Sequence, residues 1–320
     1  MSGFGGAARG KKNKSKNQTQ LNFQKWFNQA IYFHQIGNLR NAESTYKKLI
    51  AAGIEDSAVF CNLGVICKNS GRIKEALDCY SQALKFEPDD PKIYANIGNL
   101  YRLIGNLQQA LDFTLKSLEF DNDSSTTHLN LGSIYRDLGQ TDQALAATLR
   151  SISLDTDNLD AHCNLQSIAE LININSSDRQ NVERAFEILL RREDFFHRRL
   201  CPLFIQLFLD KINTAAQYDS LISGNNPAVQ ELASDWRFIK ALTLLTPPHQ
   251  DIETFLTRLR KELLAYVVKN NTFPLGMKPL IISLSIQCFL NEYVYYQSGE
   301  EQEQLSILVS RSIKSSDLLN

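Results

Sequence analysis

From residue 23 the sequence returns to the same pattern every 34 residues, and this recurrence limits the fold more than any other feature. Glycine recurs at Gly37, Gly71, Gly105 and Gly139, and alanine at Ala42, Ala76, Ala110 and Ala144. A small residue recurs at Ala30, Gly64, Gly98 and Gly132, and an aromatic residue or histidine opens the units at Trp26, Phe60, Tyr94, His128 and His162. A unit this short cannot bury its own apolar face. Copies must stack, so the chain builds an extended array and not one closed core.

The apolar spacing inside a unit is helical. Phe60, Leu63, Gly64 and Cys67 share one face, and Ala76, Leu77, Tyr80 and Ala83 share another. Gly71 stands between the two runs, where a helix ends and a left-handed residue is wanted. Before each unit stands Asn22, Asp56, Asp90, Ser124 or Asn158, all good helix N-caps. Pro91 takes a first helical position, where its missing N–H is no loss. Caps, stops and apolar faces thus keep one register.

On these residues the array resembles the tetratricopeptide repeat, a helix–turn–helix unit of 34 residues. Phe60, Leu63, Gly64, Ala76, Tyr80 and Pro88 follow its pattern, with Cys67 in place of a tyrosine. Tyr94, Ile97, Gly98, Tyr101 and Ala110 follow it in the next unit, and Leu131, Gly132, Tyr135 and Ala144 in the one after. Thr114 and Thr148 replace the usual aromatic residue, which predicts thinner packing there. The resemblance implies an all-α protein: a right-handed superhelix of about 4.5 repeats followed by an irregular helical domain. The expected organisation is a basic disordered tail over 1–22, repeats at 23–56, 57–90, 91–124 and 125–158, a half repeat at 159–172, and a helical domain over 178–320. In the fifth unit Gln166 and Asn173 stand where the two glycines belong.

The resemblance also implies a concave face lined by the first helix of each unit. The same residue occupies its sixth position five times: Asn28, Asn62, Asn96, Asn130 and Asn164. Asparagine is a poor helix-interior residue. Its amide carries both a donor and an acceptor, so it can hold a backbone N–H and C=O of any bound chain. Stacked first helices about 10 Å apart would place one rung per roughly three residues of an extended peptide. This is similar to the asparagine ladder of nucleocytoplasmic O-linked N-acetylglucosamine transferases. The same amides can instead bond to neighbouring helices. Lys68, Arg102 and Arg136 line the twelfth position, between His34 and Glu170. They predict a groove favouring acidic ligands, or else a solvated charged face. The fifth position carries Phe27, Cys61, Ala95, Leu129 and Cys163, which departs from the carboxylate clamp of chaperone-binding repeats.

After Leu171 the rhythm stops. Residues 173–178 read as a linker, and helices are expected near 179–192, 194–212, 226–246, 250–269, 277–296 and 300–314. The stripe of Phe195, Phe196, Leu200, Phe204, Phe208 and Leu209 reads as core. The stretch Gln287 to Tyr295, followed by Glu300 and Glu301, resembles a helical region of bacterial proteins that join such repeats to a class I S-adenosylmethionine-dependent methyltransferase domain. That cofactor needs a glycine-rich turn between strand and helix. The glycines after residue 170 are Gly224, Gly276 and Gly299, none in a G-x-G, and the chain ends at Asn320. The expectation is a repeat-plus-linker portion without the catalytic domain.

The remaining chemistry is sparse. His34, His128, His162, His197 and His249 have no metal-ligand spacing, and no phosphate-binding or nucleophile-elbow motif occurs. The six cysteines form no C-x-x-C pair and are expected to be reduced. Arg9, Lys11, Lys12, Lys14 and Lys16 fall in 1–22, where there is no acid. The rest of the chain is therefore net acidic, which disfavours a general nucleic-acid surface. No apolar run reaches membrane length or forms a secretory leader, so a cytoplasmic location is expected. The sequence thus predicts a non-catalytic, cofactor-free protein that holds a peptide or protein partner. The other reading is an accessory part of a methyltransferase system.

Overall fold

The computed structural model describes residues 23–173, 178–193, 196–222, 226–290 and 299–310. The tail 1–22 with Asn22, most of the linker, Phe195, Gly224 and Asn291–Tyr295 of the methyltransferase-like stretch lie outside them. The described residues form helices and turns, with no strand among them. Two compact units are present: Met1–Gln140 with Arg150–Asp157, and Thr141–Leu149 with Asn158–Asn320. The line between them passes through the fourth repeat.

The first unit is an alternation of first and second repeat helices. These are α1 (23–35), α2 (Leu39–Ala51), α3 (Ser57–Asn69), α4 (Ile73–Phe86), α5 (Pro91–Leu103), α6 (Leu107–Phe120) and α7 (Ser125–Asp137). The end of α8 (Thr141–Leu154) completes it. The caps act where the sequence put them: Asp56 accepts from Val59 N, Asp90 from Lys92 N and Ser124 from Thr127 N. Gly71 has φ +74°. Its N–H donates to the Lys68 carbonyl at 3.0 Å, and Arg72 N–H to the Cys67 carbonyl at 2.9 Å. Gly37, Gly105 and Gly139 end their helices with the same pair of bonds. A side chain at these φ values is strained, so the turn selects glycine.

Gly64 and Gly98 are needed for a different reason. A Cβ on Gly64 would stand 2.6 Å from Tyr80 Cε1, and one on Gly98 would strike Thr114 Oγ1 and lie 3.1 Å from the Ala110 carbonyl. Packing around Thr114 is not empty. Thr114 is fully buried, and the ring missing from its position is supplied one residue earlier, by Phe113. That ring stacks on Tyr94 and Tyr101, with centroids 6.4 and 5.4 Å away.

The second unit holds the start of α8, then α9 (Leu159–Ala169), α10 (Arg179–Arg191), a 3₁₀ turn (His197–Leu200) and α11 (Cys201–Ala216). It continues with α12 (Pro227–Ser234), α13 (Trp236–Leu244), α14 (Gln250–Asn270), α15 (Lys278–Leu290) and α16 (Gly299–Ser310). Its core is a cluster of Phe186, Phe204, Phe208 and Phe238, with centroids 5.0–6.5 Å apart. Two expectations change here. Phe196 is 81% exposed, because helical backbone begins only at His197 and the residue before it is out of phase with the core stripe. The single helix expected over 226–246 is divided at Asp235. That residue ends α12 in extended backbone and caps Arg237 N of α13. Asp235 also pairs with Arg237 at 2.9 Å, and Arg237 reaches Glu183 at 2.9 Å, which ties α13 to α10. Arg258 donates to the carbonyls of Ala216, Tyr218 and Asp219, satisfying the end of α11.

Candidate interaction face

The first-helix face of the first unit carries Asn28, Asn62, Asn96 and Asn130. Each stands at the same register because the turn glycines and N-caps reset the helix phase at every unit. Asn28 is exposed and accepts from Gln24 Nε2 at 3.3 Å. Asn62, Asn96 and Asn130 are half-buried. Burial pushes the Tyr46 phenol up to about 12, and the nearby Asn62 amide opposes that rise. The two groups do not meet the geometry of a hydrogen bond. Asn96 Nδ2 donates to Cys61 Sγ at 3.5 Å, a weak bond that leaves most of the amide's capacity unused. The Cys61 thiol is raised by burial, so it stands in the face as a neutral, unreactive group.

Asn164, in the second unit, is placed otherwise. It is 5% exposed, and its Nδ2 donates to Thr148 Oγ1 at 2.9 Å. That amide is spent inside the fold. The five amides therefore share a register but not an environment.

The cations also differ from one another. Arg102 Nε reaches Asp137 at 2.7 Å, and Arg136 reaches the same carboxylate at 3.2 Å. One carboxylate is thus shared by two guanidinium groups. Lys68 is half-buried, and burial lowers its ammonium pKa. Glu170 of the second unit is paired with Arg199 at 3.3 Å.

The histidines at the aromatic position serve packing. His128 Nε2 lies 2.9 Å from the Asn122 carbonyl, and Tyr94 O–H donates to the Pro88 carbonyl, one repeat earlier, at 2.8 Å. Among the described residues no group of three or more His, Cys, Asp or Glu is arranged to hold a metal. No described helix is long and apolar enough to cross a membrane.

Residues 64–105 match a TPR repeat model, and residues 91–124 and 125–158 each match a tetratricopeptide repeat. Residues 64–158 are tetratricopeptide repeats. Units of this kind form an interaction scaffold for proteins. The fold is similar to that of Pseudomonas aeruginosa pilF, at 15% identity over 68% of this chain and 99% of that one, with a TM-score of 0.49. It is also similar to MamA from Desulfovibrio magneticus RS-1, at 16% identity over 54% and 97%, with a TM-score of 0.45. The first tetratricopeptide domain of Spaghetti (RPAP3), solved bound to an HSP90 peptide, shares 19% identity over 36% and 91%, with a TM-score of 0.35. No curated protein matches the chain.

Proposed function

We propose that the tetratricopeptide array holds an extended stretch of a partner polypeptide against its first-helix face. Asn62, Asn96 and Asn130 supply the grip through bonds to the partner's backbone, and Lys68, Arg102 and Arg136 favour acidic side chains beside it. The observation that carries this reading is the set of half-buried amides held in one register by capped, glycine-terminated helices. Their bonding capacity is largely free, although helix propensity alone would select another residue. Backbone recognition gives affinity without reading sequence, and the three cations at one register add the preference.

The test uses the full chain to capture partners from a cell extract, followed by titration of the recovered partner. Asn96→Ala combined with Asn130→Ala should weaken binding by about 2 kcal/mol, at ~1 kcal/mol per lost hydrogen bond. Unchanged affinity with intact helicity overturns the reading. Binding should also weaken as salt is raised, because exposed charges are screened over about 10 Å at 0.1 M.

A further inference from the structure

A cleft lies in the first repeat, at registers where the third repeat packs aromatic rings together. In repeat three the Phe113 ring is sandwiched between Tyr94 and Tyr101, with interplanar angles of 24° and 19°. Lys116 Nζ stands 4.7 Å from the centroid of Tyr94 and completes the packing. The residues at the same register in repeat one are Trp26, Phe33, Thr45 and Lys48. The two flanking rings and the lysine are therefore kept, while Phe113 and Phe120, which both stack on Tyr94, give way to Thr45 and Ala52, and the Thr114 register carries the buried Tyr46.

Its place is a cleft of about 300 Å³ lined by Trp26, Gln29, Phe33, Ser44, Thr45 and Lys48. Trp26 remains 38% exposed, whereas Tyr94 is buried. Thr45 Oγ1 is spent on the Asn41 carbonyl at 2.7 Å, so this hydroxyl asks nothing of a ligand. Two aromatic side chains, Trp26 and Phe33, line it together with polar residues.

We propose that this cleft takes an aromatic side chain of a partner protein, inserted between Trp26 and Phe33 as Phe113 is inserted between Tyr94 and Tyr101. Offset aromatic contacts and the lysine above them would reward a ring more than an aliphatic chain. The charge around the rim says what flanks that ring. A shallower depression shares Ser44 and Lys48 with the cleft and adds Arg40 and Lys47. Glu43, its one acid, is already bound to Lys47 and Arg72. Acidic residues beside the aromatic one would meet Lys48 and Arg40. The chain's own segment 1–22 holds Phe4, but its five basic residues and lack of acid make it the wrong sign for this rim.

The chain has two tryptophans, Trp26 and Trp236, so the indole N–H signals of the labelled full chain give a reporter and an internal control. The probe is the peptide acetyl-Glu-Glu-Phe-Glu-Glu-amide. The Trp26 signal should shift saturably while that of Trp236 stays in place, and the peptide with alanine for phenylalanine should have no effect. Thr45→Phe, which supplies the missing ring from within, should abolish the shift. Lys48→Glu, at an exposed position, should weaken binding about tenfold or more. Asn96→Ala with Asn130→Ala should leave this titration unchanged, which separates it from the grip on the first-helix face. An unmoved Trp26 signal at millimolar peptide overturns the proposal. So does full binding by the Lys48→Glu variant, or a shift of the free Trp26 signal on deleting residues 1–22, which would assign the cleft to the tail.

Discussion

Asn130 and Asn164 begin from the same local sequence logic and end in different environments. Each stands sixteen residues after a buried threonine, Thr114 or Thr148, at the same two registers of the repeat. At Asn164 the amide donates to the threonine hydroxyl and is lost to solvent. At Asn130 the amide stays half-buried on the face, and the Thr114 hydroxyl is buried with no hydrogen-bond partner. Repetition fixes where a side chain emerges. What packs over it decides whether it serves the fold or the surface.

Three measurements test that contrast, and a fourth probes an ion pair elsewhere in the array. The largest expected effect is the loss of about 2 kcal/mol of partner affinity in Asn96→Ala/Asn130→Ala. The fold should lose little, because alanine is the better helix former by up to ~0.7 kcal/mol per site. Asn164→Ala should show the reverse, with unchanged partner affinity and a stability loss of about 1–2 kcal/mol by chemical denaturation, since Thr148 would be left buried and unpaired. If both variants behave alike, the two environments are not distinct. Thr114→Val should then stabilise by up to about 1 kcal/mol by removing an unpaired buried hydroxyl, whereas Thr148→Val destabilises.

The smallest effect concerns an ion pair at the first interface of the array, beside the buried apolar cluster that joins its first two repeats. The Arg72 guanidinium and the Lys47 ammonium beside Glu43 hold its carboxyl at about 2. Arg72 contacts both oxygens, at 2.8 and 2.7 Å. A depressed carboxylate contributes stability that is fully present above its ordinary pKa and is lost as pH falls through the folded value. Glu43→Gln should thus cost about 1 kcal/mol or less near neutrality. The difference from the parent should shrink as pH drops from about 4.5 to about 2, read from paired thermal melts.

The sequence made some of this legible and hid the rest for physical reasons. Gly71, Asp56, Asp90 and Ser124 act through local backbone chemistry, so their roles could be read without knowing any neighbour. The register of the asparagines followed from the same phase. The burial of Asn164 could not be read, because it depends on how the second unit packs. Asp137 stood next to Arg136 in the sequence, but its service to Arg102, 35 residues earlier, needs the stacked geometry. The break at Asp235 was masked by apolar spacing that continues across it. The cleft of repeat one was hidden by a substitution at Thr45, which carries meaning only beside Phe113.

The Schellman turns at Gly37, Gly71, Gly105 and Gly139 have one more consequence. Each closes its own hairpin with bonds spanning a few residues, and bonds joining neighbouring hairpins, such as Asn96 to Cys61 and Arg102 to Asp137, span 35 positions. Among the described residues of this unit there is no strand pairing. Assembly can therefore advance like a zipper, one tooth at a time, and come undone from a free end without disturbing the middle. A ligand that clasps several teeth at once would stop that unravelling, so occupancy should be visible as slower amide exchange well beyond the atoms it touches.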